Sequence, residues 1–521
     1  MDMDEERKKR LECIDPIAPP SKEDPTTPTI TKSTIPTAKK DESDKDKDKD
    51  KEKDDDGKAK DKDMASRMQS RDVLMDEVFM KSLQQLPFYH GFLPREDLSI
   101  LLANGGDYLI RVSEVSIQTK GEDKEKIMFK RDLILSVREK PPKEERAMDP
   151  AKDSESEREL LGKLRNMVVR RHNGKFEIEQ HISFDTIPEL LAHYNQSNSG
   201  ETKKNLILKN AIKFQSWEYY HADIKLGNLL GEVRRGRRLG EGVYGEVRSG
   251  VLKRKEENVD VAVRLMKGSD DMAKKKFREK MEEARLMRWF KHKNLVRFYG
   301  VAVDEQPLYI LLELVNGGCA LNTYLQKNRN DSTIDLMNMC LDAACGIQYL
   351  HANNCIHRDI AARNCLYSVD NRIVKLSNFE SAHIGNQYEL RNGPTLPMKW
   401  LAPDVILTLL FTSKADVYSY GVMCFEIFSE GVEPWENIAK AYKFVKTGKH
   451  LTIPDSCPEK WRTYLYDKVY VKEPKKRATM EDIVRYLEPL VTQCQEEKDK
   501  SSDKMNKNES EVPIGEKNKA V

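Results

Sequence analysis

An arginine stands inside an apolar run at Tyr108-Leu109-Ile110-Arg111-Val112-Ser113-Glu114. On a strand, Leu109, Arg111 and Ser113 share one face. A small domain folded around that strand buries the guanidinium, and an unpaired buried charge is costly. The group needs an anion, and its planar fork suits a phosphate held by two parallel N–H···O bonds. Arg95, in Pro94-Arg95-Glu96, can add a second positive charge. An internal carboxylate is the alternative partner, and strand alternation does not choose between the two. A second phosphate signal is Leu239-Gly240-Glu241-Gly242-Val243-Tyr244-Gly245-Glu246-Val247. Alone, G-x-G-x-x-G is shared by several nucleotide sites. Here Leu239 and Val247 bracket a Gly-rich hairpin, and no helix pattern follows as a dinucleotide site requires.

Folded elements must hold these residues in place. The chain has 521 residues, enough for two to four domains. Charged residues make up 34% of it and the net charge is only +2, which argues against a general electrostatic grip on nucleic acid or anionic lipid. The first residues carry no apolar signal segment and no Gly follows the initiator Met. No apolar stretch is long enough to span a bilayer. The nine cysteines form no C-x-x-C pair, which fits reduced cytoplasmic thiols. Residues 1–75 are Pro/Thr-rich and then almost all Lys and Asp, and 494–521 are similarly polar, so both are expected to be disordered tails. Between them, alternating apolar positions predict strands at Asp107–Ser113, Leu133–Arg138, Met167–Val169 and Phe176–Ile178, then a helix over Thr186–Tyr194. The expected architecture is α+β and multidomain: a small domain at 86–213, a linker at 214–233 and a larger domain at 234–493.

Phe88-Tyr89-His90-Gly91, Arg95 and Gly105 to Glu114 resemble the signature of an SH2 domain, an antiparallel sheet flanked by two helices. The resemblance implies that Arg111 clamps a phosphotyrosine, with Arg95 and Ser113 assisting. Two positions depart. Phe88 replaces the usual Trp, and Asn166 falls where many SH2 domains carry His.

The larger domain resembles a bilobal tyrosine kinase. His357-Arg358-Asp359-Ile360-Ala361-Ala362-Arg363-Asn364 is similar to the catalytic loop, in which Asp359 would accept the substrate hydroxyl proton and Asn364 would hold a metal. Arg363 belongs to the tyrosine-kinase form of that loop. Gly240, Gly242, Gly245 and Val247 would cover ATP. Pro397-Met398-Lys399-Trp400, Ala402-Pro403-Asp404 and Asp416 match further segments of the frame, with Arg477 as the expected partner of Asp404. Taken together, residues 86–493 resemble the Fer/Fes family of non-receptor tyrosine kinases, without that family's N-terminal coiled-coil domain.

Three departures bear on chemistry. Arg264 replaces the ATP-anchoring Lys, whose partner would be Glu283. Asn378 replaces the metal-binding Asp, and a neutral amide suits Mg²⁺ poorly. Glu380 replaces a Gly, and as i+2 to Asn378 it is a candidate substitute metal ligand. Losing one preorganised group costs about 10²–10³ in rate. Two losses, if additive, remove about 10⁴–10⁶ from a kinase rate of about 1–100 s⁻¹. The sequence therefore predicts a pseudokinase that serves as adaptor or scaffold, docking on tyrosine-phosphorylated proteins and working with an active kinase. The alternatives are an active tyrosine kinase using ATP and Mg²⁺ or Mn²⁺ at an altered metal site, or an ATP-gated switch. Tyr388 is a candidate regulatory site that would pair with Arg358 when phosphorylated. Neither nucleic-acid binding nor membrane insertion is expected. The expected location is cytoplasmic, with recruitment to the inner membrane face only through phosphorylated partners.

Overall fold

The computed structural model describes residues 77–120, 125–139, 163–179, 181–196, 208–229, 246–255, 257–266, 271–390 and 396–510. All of residues 1–75 and Gly240, Gly242 and Gly245 lie outside this set, as does most of the charged stretch 139–159.

Alternation builds the first sheet. Strands β1 (Asp107–Lys120), β2 (Glu125–Arg138), β3 (Leu164–His172) and β4 (Lys175–Glu177) pair antiparallel, and β5 (Asn210–Ala211) joins β1 in parallel. Ile110 and Val112 face one apolar cluster with Leu135 and Val137. Leu109 faces another, with Leu93, Leu98 and Leu102 from the short helical segment around α2 (Leu98–Leu101). Arg111 shares the face of Leu109, as period-two logic requires. Helix α3 (Ile187–Gln196) lays Ile187, Leu190, Leu191 and Tyr194 on the first cluster. An added helix, α1 (Glu77–Gln84), precedes the expected domain start and buries Phe79 and Leu83 there.

The second sheet has the order β6-β7-β8-β10-β9: β6 (Ile224–Leu229), β7 (Glu246–Lys253), β8 (Asn258–Met266), β9 (Phe298–Ala302) and β10 (Leu308–Glu313). Helix α4 (Asp271–Met287) packs against it. A helical lobe follows, centred on α6 (Thr333–Ala352) and the largely buried α8 (Ser413–Phe428). The start of α6 is fixed by a capping box in which Ser332 and Asp335 satisfy each other's backbone N–H groups.

The stretch read as linker is built into the molecule. Trp217 and Tyr219 exchange backbone hydrogen bonds of 2.8 Å with Val301, and 224–229 form β6. The two domains meet closely. Phe92 N–H donates to the Val303 carbonyl at 2.7 Å, and Gly91 sits at φ +54° with its α-carbon so near that a Cβ would lie 2.1 Å from that oxygen. No side chain fits there. Asp97, fully buried, accepts from Arg288 of the loop after α4 at 2.7 Å and lies 3.4 Å from Arg285. Arg288 also stacks 3.7 Å from the Trp217 ring centroid.

One element differs from the composition-based expectation. Helix α10 (Met480–Ser510) does not stop near 494 but runs on through the polar stretch. Its first turns are nucleated by burial of Met480, Ile483 and Leu487, and extending an existing helix through Glu, Lys and Gln needs no new nucleus. Composition reports low burial, and it is blind to nucleation next door.

Candidate active site and phosphate pocket

In the first domain, cross-strand register sets the pocket. Ser136 of β2 stands directly opposite Asn166 of β3, and its hydroxyl donates to Asn166 Oδ1 at 2.7 Å. Arg111 reaches both, with Nε 3.3 Å from Ser136 Oγ and Nη2 3.5 Å from Asn166 Oδ1. It is only 7% exposed, yet has no ion-pair partner among the described residues. Burial, and then the like charge of Arg95, lower its pKa from the ordinary guanidinium range. Both effects would be relieved by an anion. Arg95 is exposed at the start of its helical turn, and Ser113 is half-buried on the same strand as Arg111.

In the second domain, Asp416 of α8 braces the catalytic-type loop. Its buried carboxylate accepts the backbone N–H groups of His357 and Arg358, both at 2.8 Å, and His351 Nε2 lies 3.0 Å away. Burial alone would raise its pKa, but these partners hold it below the ordinary carboxylate range. Glu426, also on α8, accepts from Ala362 N–H and from the Trp400 indole, each at 2.9 Å. Here burial wins and the carboxyl is pushed up to about 7. Nothing in the sequence singled out Glu426, because one acidic residue in an apolar helix carries no spacing signal.

Asp359 is ion-paired to Arg363 and accepts from Asn364 Nδ2 at 2.6 Å. The Arg363 guanidinium lies 4.0 Å from the Trp400 ring centroid. Asn378 sits in the left-handed region at φ 61°, which Asn tolerates better than most residues. Its Nδ2 donates to Asn364 Oδ1 at 3.1 Å. That oxygen is the atom through which Asn364 would bind a cation. Asp359, Asn364 and Asn378 thus satisfy one another. This donor set offers one carboxylate, already paired, and does not fit a resident Mg²⁺, which favours free carboxylate oxygens.

Arg264 of β8 donates to Glu283 of α4 at 3.2 Å, and Val247 is its cross-strand neighbour on β7. Glu283 also accepts from Phe379 N–H at 3.1 Å and from Lys280 at 2.9 Å. Glu380 faces α4, at 2.6 Å from Lys280 Nζ and 3.4 Å from Lys276 Nζ. Burial acts to raise its carboxyl, but the two ammonium groups overcome this and hold it below the usual range. No motif contains Lys280; its position three residues before Glu283 is the one signal the sequence offers.

Tyr388 lies on a short strand, Gln387–Glu389, paired with Leu410–Thr412. The Arg358 guanidinium rests 3.8 Å from its ring centroid. Asp404 and Arg477 form the expected pair at 2.8 Å, without loosening from the shorter side chain.

A family model described as "Protein tyrosine and serine/threonine kinase" matches residues 233–487. The Spermatocyte protein spe-8 of Caenorhabditis briggsae is 30% identical over 75% of this chain and 69% of its own length. The human Tyrosine-protein kinase Fer is 31% identical over 74% of the chain. The Tyrosine-protein kinase transforming protein Fps of an avian sarcoma virus is 32% identical over 74%. The chain belongs to the Fer/Fes family of tyrosine kinases. It spans 42% of human Fer and 64% of that Fps protein. Its kinase domain has the sheet-rich and helical lobes described above, and the family implies ATP and a divalent metal wherever the activity is kept. Among the described residues no helix is long and apolar enough to cross a membrane.

Proposed function

We propose that this Fer/Fes-family chain docks on tyrosine-phosphorylated proteins through its N-terminal α+β domain, read as an SH2 domain, and acts as an adaptor or scaffold with phosphoryl transfer impaired. The observation that carries the reading is a buried guanidinium, Arg111, with no counter-charge among the described residues, beside a kinase cleft whose metal-motif side chains bond to one another. A phosphotyrosine supplies the missing charge to Arg111, with Arg95 at the rim and Ser113 on the same strand face. The phosphorylated partner, and an active kinase brought beside it, are the protein's partners. Cytoplasmic placement, with recruitment to the inner membrane face through such a partner, follows from this mode. A phosphate on Tyr388 would exchange its ring contact with Arg358 for an ion pair and so regulate the loop.

A second reading, an active protein-tyrosine kinase with an altered metal site, is favoured by one arrangement: Asp359 is held by Arg363 and Asn364 on a loop braced by Asp416.

Calorimetric titration with a phosphotyrosine peptide and its unphosphorylated twin tests docking. The native chain and Asp359→Asn bind only the phosphorylated peptide, and Arg111→Ala loses it. Equal binding of both peptides, or intact binding by Arg111→Ala, contradicts the proposal.

A further inference from the structure

Glu380 stands where the family pattern has a glycine, and its side chain has a destination. On α4, Lys276, Lys280 and Glu283 are spaced i, i+4, i+7 and share one face. That face meets the segment Asn378–Glu380. Glu380 Oε2 lies 2.6 Å from Lys280 Nζ, and Oε1 lies 3.4 Å from Lys276 Nζ. Lys280 is almost buried, so its ammonium group depends on these carboxylates for charge. It bridges onward to Glu283 Oε2 at 2.9 Å, which in turn accepts from Arg264 at 3.2 Å. The other oxygen of Glu283 takes the Phe379 N–H at 3.1 Å, and the Phe379 ring is buried beside it. A continuous chain of charges therefore runs from β8 through α4 to the metal-motif segment: Arg264, Glu283, Lys280, Glu380. With glycine at 380, among the described residues Lys280 would keep Glu283 alone and Lys276 would keep only Glu279, at 3.5 Å.

We propose that Glu380 and Lys280 are positioning residues: their ion pair fastens α4 to the 378–380 segment and so holds the Glu283 carboxylate on Arg264 without help from a nucleotide or a metal ion. In kinases the helix-to-strand ion pair must be in place for transfer, and its position is a point of control. Here the chain supplies a tie of its own. The inference is independent of whether the domain transfers phosphate, because it concerns only where α4 sits.

Amide hydrogen exchange on the full chain tests it, with Glu380→Gln, Lys280→Met and the double variant, each in EDTA and again in excess Mn²⁺. In Glu380→Gln, amides of 274–287 exchange about three- to tenfold faster than in the native chain, while those of α6 keep their rates. The acceleration is the same in EDTA and Mn²⁺. Lys280→Met gives at least as large an effect on the same amides, and adding Glu380→Gln to it adds less than Glu380→Gln does alone, because only the longer Lys276 contact is left to lose. Unchanged exchange in α4 overturns the proposal. So does equal acceleration in α6, which marks general destabilisation, or full additivity of the two substitutions. An effect seen only with Mn²⁺ also overturns it, and would return Glu380 to the role of metal ligand.

Discussion

Two arginines set the two domains apart. Arg111 is buried with only a hydroxyl and an amide oxygen for partners among the described residues, while Arg264 is more exposed and already paired with Glu283. A buried cation without an anion is costly, and the proposed phosphotyrosine would supply that anion. A cation neutralised inside the chain is part of a scaffold. The same contrast extends to the neighbours. Around Arg111 the charge is incomplete, whereas in the kinase cleft Asp359, Asn364, Asn378 and Glu380 all have partners within the chain. Side-chain satisfaction, more than the presence of a motif, separates a pocket open to a ligand from one that has closed on itself.

Breaking the first arginine gives the largest expected effect. Arg111→Ala weakens phosphotyrosine-peptide binding by about 10²–10³, the scale for removing one partner of a desolvated charge pair. Arg111→Lys keeps the charge but loses the fork, and costs on the order of tenfold. Calorimetric titration reads both: equal losses for Ala and Lys would show that the guanidinium fork carries the binding, and no loss for Lys would show that charge alone suffices.

The cleft yields a pH prediction. The Glu426 carboxyl is pushed up to about 7 by burial. Between the ordinary carboxylate range and pH 7, the folded chain thus holds a proton that the unfolded chain has released. Stability falls as pH rises through that window, by up to roughly 3 kcal/mol in total. Glu426→Gln keeps an acceptor for Ala362 and Trp400 and removes this slope. Denaturant melts at pH 5 and pH 7.5 measure it. Asp416, whose pKa is lowered, acts in the opposite sense and only at more acidic pH, where its stabilisation is lost as pH falls.

The smallest effect sharpens the scaffold side. Asp404 already reaches Arg477 at 2.8 Å, so Asp404→Glu must fit one more methylene against a filled contact. It destabilises the kinase domain by less than about 1 kcal/mol, read as a small drop in melting temperature. A gain in stability would show that the shorter side chain had been a defect.

Much of this was legible in the sequence because it rested on short-range patterns. Strand alternation placed Arg111 on the face of Leu109, and the loop from His357 to Asn364 announced itself by spacing. What stayed hidden depends on distant partners. Glu380 was legible as a substitution, but its lysine partners lie about a hundred positions earlier in the chain. Asn166 stands out by the resemblance, yet its bond to Ser136 follows from the β2–β3 register, which pairs residues 30 positions apart. Nothing in the sequence points to Asp97, because its partner Arg288 lies about 190 positions away in the other domain. The run of α10 past 494 is not legible in composition, because helix extension depends on a neighbouring nucleus.

Phosphate transfer to a poly-Glu-Tyr substrate with Mg²⁺ or Mn²⁺ bears most directly on the claim that the cleft has closed on itself. The native chain is compared with Asp359→Asn and with an Arg264→Lys/Asn378→Asp double variant. The account predicts that the native chain is no faster than Asp359→Asn, and that the double variant exceeds both by about 10² or more. A native rate clearly above that of Asp359→Asn would contradict it and make the chain a working kinase.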